Sequence, residues 1–520
     1  MGESKKAISK EVTRRDALRL SAVAVGGLGA MSGARAGTHC PSPRPCYPDT
    51  VDDTQTYSYF FKHVEKWGPF DEKHVHIPPK PNEMRITFLG SVIPPVRRAQ
   101  QEMSIFVEVG NALGEADQFV FDCGSGVSAN YGAMGISYGV MNKVFLTHLH
   151  GDHMSDLTHF YCFGAAANRK SPLYVWGPSR SGVRNPKAPP EYYEDGVIDM
   201  CKAYRKAWRW HSESFSFLPT DDRDYRPPSR RDWGLPHDPV PVEDDSPRSG
   251  YALVPIELDW QKYGKREGDN VAYYNEKSGV KITHFPVIHC RQGSIGYKLE
   301  WNGLSMIYTS DTKPEVHSIT QARNKGNGVD VFIHECVVPP DVWAFKNLGL
   351  KAPPDPDSKL WDAYQSAVKT LTTVQDSSHT PQGAFGYLLS KIDPPPRLTV
   401  ATHFPVADDT VACAFNSIRL HCPWVVMDPY HPNNSNLIWS FDLMVLSVFP
   451  RNIQPKIQQF RAEVSDYGFS PVAATPQNLK PAKYHHHDGS DDPYKQLDLD
   501  TWIEPTNRIT GACNYRKDGY

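Results

Sequence analysis

The segment His148-Leu149-His150-Gly151-Asp152-His153 packs three imidazoles and a carboxylate into six residues. Two histidines separated by one residue on a loop can point the same way. An Asp-His pair just beyond them can turn to face a second centre. His148 and His150 can therefore serve one metal ion while Asp152 and His153 serve another. Imidazole and carboxylate donors together suit zinc, iron, manganese or cobalt. A single histidine is ordinarily a surface residue or a satisfied core residue; four donors in this spacing, directly after a strand, point to a metal.

The strand that must position this cluster is expected over 143–147, apolar and running straight into His148. Such strand ends are where α/β folds place their chemistry. Upstream, 85–91 alternates and closes on a glycine turn, and 104–109 and 118–122 read as two further strands. Cys123-Gly124-Ser125-Gly126 forms the turn after them. Over 165–280 the periodicity breaks down amid prolines, Trp208, Trp210, Trp233 and mixed charge such as Asp221-Asp222-Arg223-Asp224. A long insertion is expected there, with little regular structure beyond a helix near 195–209. The aromatic run Tyr204 to Trp210 either lines a pocket or anchors that insertion. Strand-like runs resume at 280–288, 294–300, 305–310 and 329–334. A helix follows His379, and a strand over 398–402 ends on His403. Residues 436–448 read as a final strand pair, and the polar tail beyond them carries a helical stretch near 455–465.

The chain has 520 residues, with 56 Lys+Arg against 59 Asp+Glu, a formal charge of −3. That balance supplies no global field for a polyanion, so a nucleic-acid partner would need a local basic patch and is not expected. The 45 prolines fit long loops on a compact scaffold. At the N-terminus, Arg14-Arg15 precedes an apolar run from Leu20 to Met31, followed by Ala34-Arg35-Ala36. This resembles a twin-arginine signal peptide over 1–36, although Ala17 stands where a large apolar residue is common. The run is too short to span a bilayer, where about 20 residues are needed, so no stable membrane anchor is expected. The reading is a periplasmic or secreted protein that engages the twin-arginine export machinery, a route that carries proteins already folded. Of ten cysteines, Cys40 with Cys46 and Cys413 with Cys422 are close enough to pair, while Cys123, Cys162, Cys290 and Cys336 read as buried thiols. No CxxC pair exists, which disfavours a cysteine zinc site. His485-His486-His487-Asp488 lies in a polar tail and reads as a solvated loop.

Ordered landmarks along the chain resemble the metallo-β-lactamase superfamily, and within it the ribonuclease Z–like branch, to which sulfatases are also related. They are Ile86-Thr87-Phe88-Leu89-Gly90, Phe121-Asp122-Cys123-Gly124, Thr147 through His153, His289 with Gly296-Tyr297, Thr309-Ser310-Asp311-Thr312 and Thr402-His403-Phe404. Ser310 departs from the family's glycine. The resemblance implies an α/β fold, a four-layer αββα sandwich over 84–448 with the 165–280 insertion, an N-terminal arm over 37–83 and a C-terminal extension over 449–520. It implies two divalent metal ions, zinc first, with manganese or iron as alternatives. His148, His150 and His289 would hold one, Asp152, His153 and His403 the other, and Asp311 would bridge them. His284 is the rival to His289. A bridging hydroxide would be the nucleophile. His334-Glu335-Cys336 and His379-Thr380 resemble the branch's acid pair, in which Glu335 orients His379 to protonate a leaving oxygen. Asp152, Glu335 and His379 are thus the catalytic candidates.

The resulting expectation is an exported hydrolase of a small ester: a phosphodiester, a sulfate ester, or a carboxylic ester or lactone. A homodimer is compatible with it. The alternatives are a ribonuclease Z–type RNA endonuclease and a non-catalytic or biosynthetic accessory protein retaining the fold. β-Lactam hydrolysis fits the Asp311 and His334-Glu335 segments less well. The ribonuclease Z branch grips tRNA with a flexible basic arm, whereas the 165–280 segment is aromatic and mixed in charge, more like a pocket lid.

Overall fold

The computed structural model describes residues 59–67, 76–110, 116–167, 169–215, 221–266 and 268–464. The expected signal over 1–36, Cys40, Cys46 and the 485–488 histidine run lie outside them.

Short apolar runs bounded by turns build two sheets. The chain first lays down β1 (Glu65–Trp67), β2 (Met84–Gly90), β3 (Ser104–Gly110), β4 (Ala116–Phe121), β5 (Lys143–Phe145), β6 (Leu173–Pro178) and β7 (Leu253–Leu258). It then forms β8 (Val271–Asn275), β9 (Val280–Pro286), β10 (Ile295–Trp301), β11 (Leu304–Tyr308), β12 (Val331–Glu335), β13 (Leu398–Thr402) and β14 (Leu437–Trp439). Finally β15 (Met444–Val448) and β16 (Gln458–Ala462) return to the first sheet. The orders are β1-β16-β15-β2-β3-β4-β5-β6-β7 and β14-β13-β12-β11-β10-β9-β8. Each sheet has a run of parallel strands, β4 to β7 in one and β11 to β14 in the other; the remaining pairs are antiparallel except β1 with β16.

The layers follow from alternation. Ile105 and Val107 of β3 point between the sheets, joining Ile282, Tyr297, Ile307 and Ile333 in one core. Phe106 of the same strand points outward with Val120, Val144 and Leu146, under the helices Val127–Ala133, Leu157–Gly164 and Val197–Ala207. The helices Gln382–Ser390 and Asp408–His421 cover the second sheet through Phe385, Leu388 and Ile418. The result is the expected αββα sandwich. Strands buried on both faces read as continuous apolar runs. Between the sheets Phe145 stacks on Trp176 with ring centroids 4.4 Å apart. Tyr297 Oη donates to the Leu146 carbonyl (2.7 Å) and Ile295 N to that of Thr147 (3.0 Å), tying the end of β5 to the second sheet.

Four expectations need correction. The 165–280 segment is not an irregular insertion: β6 and β7 extend the first sheet and β8 forms an edge of the second. Their short apolar cores carry no alternation to announce them. The described residues between β6 and β7 are held to the rest of the fold; Tyr204 bonds Thr158 (2.5 Å) and Arg205 pairs with Asp245 (2.7 Å). The Tyr204–Trp210 run therefore anchors, although Trp210 itself is exposed. Second, 436–448 does hold two strands, but β14 and β15 belong to different sheets and do not pair with each other. Third, the stretch near 455–465 is strand β16, which pairs with β15 and with β1 from the N-terminal arm expected over 37–83. Fourth, Cys290 is exposed, and Cys422 is a free thiol, so the expected Cys413–Cys422 pair is not formed. No helix among the described residues is long and apolar enough to cross a membrane.

Candidate metal centre

The expected site residues converge at the C-terminal ends of the strands together with Asp122, and His379 joins them from the end of the helix Trp361–Ser378. Asp122 follows β4, His148 to His153 follow β5, His289 follows β9, Asp311 follows β11, Glu335 ends β12 and His403 follows β13. Donor atoms of His148, His150 and His289 lie within 4.8 Å of one another, as do those of Asp152, His153, Asp311 and His403. Asp311 Oδ1 is 3.4 Å from His153 Nε2 and 3.5 Å from His403 Nδ1, and its Oδ2 is 3.8 Å from His289 Nε2. It therefore stands between the two groups. A third group, Asp311, Glu335, His379 and His403, overlaps the second.

Two observations fit this set to metal ions. His148 Nε2, His153 Nε2, Asp311 Oδ1 and His403 Nδ1 are all buried without a hydrogen-bond partner, a costly arrangement unless something else satisfies them. Asp122, Asp152, Asp311 and Glu335 also converge with only histidines as ion-pair partners among the described residues. Buried carboxylates require nearby positive charge, and two divalent cations would supply it. Burial and the neighbouring imidazole of His153 hold His148 well below its ordinary value, leaving it neutral and ready to ligate. Burial opposes ionisation of Asp311, but His403 and His153 overcome it and hold the carboxyl well below its usual range.

A further shell orients the donors, as metal-binding histidines require. His289 Nδ1 donates to the Ser378 carbonyl (2.9 Å). Asp122 is fully buried and accepts from Thr147 N (2.8 Å), Thr147 Oγ1 (2.8 Å), Tyr308 Oη (2.8 Å) and Ser310 Oγ (3.3 Å), and bonds His153 Nδ1 (2.8 Å). Asp122, Ser310 and His403 all have left-handed backbones, with φ of 55°, 56° and 57°. This conformation is uncommon outside glycine and clusters at functional sites. It explains why a glycine would serve at 310, and the hydrogen bonds of its hydroxyl explain what serine adds. Gly124 matters by proximity: a Cβ there would lie 2.1 Å from the Asp152 carbonyl oxygen.

Glu335 is fully buried; its Oε1 accepts from Thr312 N (2.5 Å) and its Oε2 bonds His379 Nδ1 (2.8 Å). His379 Nδ1 is 4.0 Å from Asp311. The rival His284 lies elsewhere, and so does His334, the neighbour of Glu335. His284 sits within β9 opposite Tyr297, and burial pulls it down to about 4. His334 is buried against Phe385, with Nδ1 on the Glu335 carbonyl (2.7 Å), a structural role. Sequence reading treats Asp122 only as a turn landmark; its hub role depends on four partners distant in the chain.

No family model matches the chain. It is 31% identical to a ribonuclease BN of Enterobacter sp. (strain 638) over 101 residues, 19% of this chain and 32% of that protein. It is 23% identical to the ribonuclease BN of Proteus mirabilis over 269 residues, 50% of this chain and 78% of that one. These stretches of the chain are similar in sequence to ribonucleases BN. The match thus covers about a third of the first relative's length and over three quarters of the second's. Among solved structures, the metallo-β-lactamase fold protein YhfI from Bacillus subtilis aligns with a TM-score of 0.39 and 12% identity, over 70% of this chain and 100% of that one.

Asp122→Asn tests the hub. Its amide would face Tyr308, Ser310 and His153 with a donor where all three now meet an acceptor. A loss of about 2–4 kcal/mol in unfolding free energy is expected, with metal affinity weakened roughly 10–100-fold. Denaturant titration and metal competition measure the two; a change in neither removes the hub role.

Proposed function

We propose that the chain is an exported, binuclear metal-dependent hydrolase of a small ester whose leaving group departs as an alkoxide. The observation carrying this reading is the Glu335–His379 pair standing beside the two ligand groups. Two bound cations would lower the pKa of a shared water and polarise the oxygens of the group under attack. His148, His150 and His289 would hold one, Asp152, His153 and His403 the other, with Asp311 between. Zinc suits these donors, with manganese or iron as alternatives.

The remaining work falls to the chain itself. With Nδ1 engaged by Glu335, His379 has Nε2 left to present a proton. Burial disfavours its charged form, but the Glu335 carboxylate outweighs this, with Asp311 adding to it, and holds His379 up at about 9. It is an acid still protonated at neutral pH, suited to a poor leaving group.

A second reading, a ribonuclease Z–type endonuclease, is favoured by the names of the sequence relatives. Turnover of bis-p-nitrophenyl phosphate, p-nitrophenyl sulfate and a carboxylic ester is to be compared with cleavage of a precursor tRNA. Selective cleavage of the precursor, with the small esters inert, would replace the first reading by the second. Chelation is expected to abolish turnover and lower the melting temperature, with both restored by about two equivalents of zinc or manganese. Melting and activity indifferent to chelation would sink the metal reading. Export is checked by replacing Arg14 and Arg15 with lysine, which should retain the unprocessed chain in the cytoplasm.

A further inference from the structure

A cleft of about 710 Å³ opens beside His289. Its walls are continuations of the metal loops: 286–293 carries His289, and 314–317 follows Asp311. These two loops are locked together, because Ile288 N donates to Thr312 Oγ1 (3.1 Å) and Lys313 N to the Ile288 carbonyl (2.7 Å). The third wall, made by Trp260, Gln261 and Tyr263, comes from the 3-10 turn after β7. Apolar groups make up the larger part of the lining, with Gln261, Arg291, Gln292, Glu315 and two histidines set among them. Trp260 is fixed through Nε1 to the Arg180 carbonyl (3.2 Å), and Tyr263 Oη accepts from Gln321 Nε2 (2.8 Å). His317 meets the Tyr263 ring edge-on at 4.9 Å. Ile288 and Val316 are 53% and 68% exposed. Rigid rings, each held by its own partner, beside uncovered aliphatic side chains form a preorganised apolar site.

Resting on the hydrolase reading above, we propose that this cleft receives the planar aromatic group of a small aryl-bearing ester, whose ester bond then lies at the metal centre. A polynucleotide fits worse. Arg291 is the cleft's one arginine or lysine, and it is taken up by Asp195 and by stacking on Tyr193 at 4.9 Å. Phosphate-backbone binding needs several unengaged cations.

The test is calorimetric binding of 2-naphthol, an aryl probe with nothing to hydrolyse, to the full zinc-loaded chain. Wild type should bind, Trp260→Phe should bind nearly as well, and Trp260→Ala should bind about tenfold more weakly, the loss of one stacking face. Ile288→Asp, at a position 53% exposed, should do the same. Trp210→Ala, on a remote surface, should change nothing. No binding by wild type, or equal binding by all variants, overturns the cleft. Displacement of 2-naphthol by a single-stranded oligonucleotide at low micromolar concentration overturns the small-ester occupant. If 2-naphthol binds as expected while no ester is turned over, the cleft stands and the hydrolase reading fails.

Discussion

Asp311→Asn is expected to lower kcat/KM at least about 10³-fold, equivalent to about 4 kcal/mol of transition-state stabilisation. Metal content should fall from two equivalents towards one. The carboxylate is 2% exposed, stands within 4 Å of donors from both ligand groups, and leaves Oδ1 without a hydrogen-bond partner. An amide keeps the size but removes the charge and one of the two acceptor oxygens, so a bridging position cannot be held. Metal analysis on the purified variant together with steady-state kinetics decides it. Two equivalents bound with kcat/KM within tenfold of wild type would remove Asp311 from the centre.

His379→Ala should lower kcat by about 10²–10⁴ for esters with alkoxide leaving groups, the ordinary contribution of a positioned acid. For p-nitrophenyl esters, whose leaving group needs no proton near neutral pH, kcat should hardly change. The pH profile separates this role from a structural one. A histidine held up at about 9 keeps its proton through neutrality, and activity on alkoxide esters falls as pH rises through that value. Bound cations push the proton off more readily, so the alkaline limb in the loaded enzyme lies at or below about 9. Glu335→Gln removes the carboxylate that raises His379, so the limb should move down towards 6.5. An unmoved limb would contradict the pairing. Because Asp311, Glu335, His379 and His403 also form a possible ligand group, metal content is measured alongside. Loss of an ion in His379→Ala, with both ester types affected equally, would make His379 a ligand instead of an acid.

The centre was more legible in the sequence than the scaffold around it. Metal donors are few in kind and fixed in spacing, so His148, His150, Asp152 and His153 declare themselves within one turn of chain. The strands ending at His403 and before Asp311 were readable because a short apolar run stopped at a polar residue. The same rule failed for β6 and β7, hidden among prolines and tryptophans, and for β16, whose Gln458-Gln459-Phe460-Arg461-Ala462 looks polar. Each is a strand because a neighbour supplies its hydrogen bonds, and no local propensity records that neighbour.

By itself the sequence determined the candidate donors and the order in which the chain presents them, while the pairing of Glu335 with His379 came only with the family resemblance. Only the tertiary structure decided which histidines count. His284 and His334 are as good in type as His289 and His379, but one lies within a strand against the core and the other against Phe385. Asp122 likewise became the organiser of the centre only when β4, β5 and β11 brought Thr147, His153, Tyr308 and Ser310 onto one buried carboxylate. Ligand type is a property of a residue and can be read along the chain. Convergence and burial are properties of packed strand ends, and they exist only once the two sheets have closed on one another.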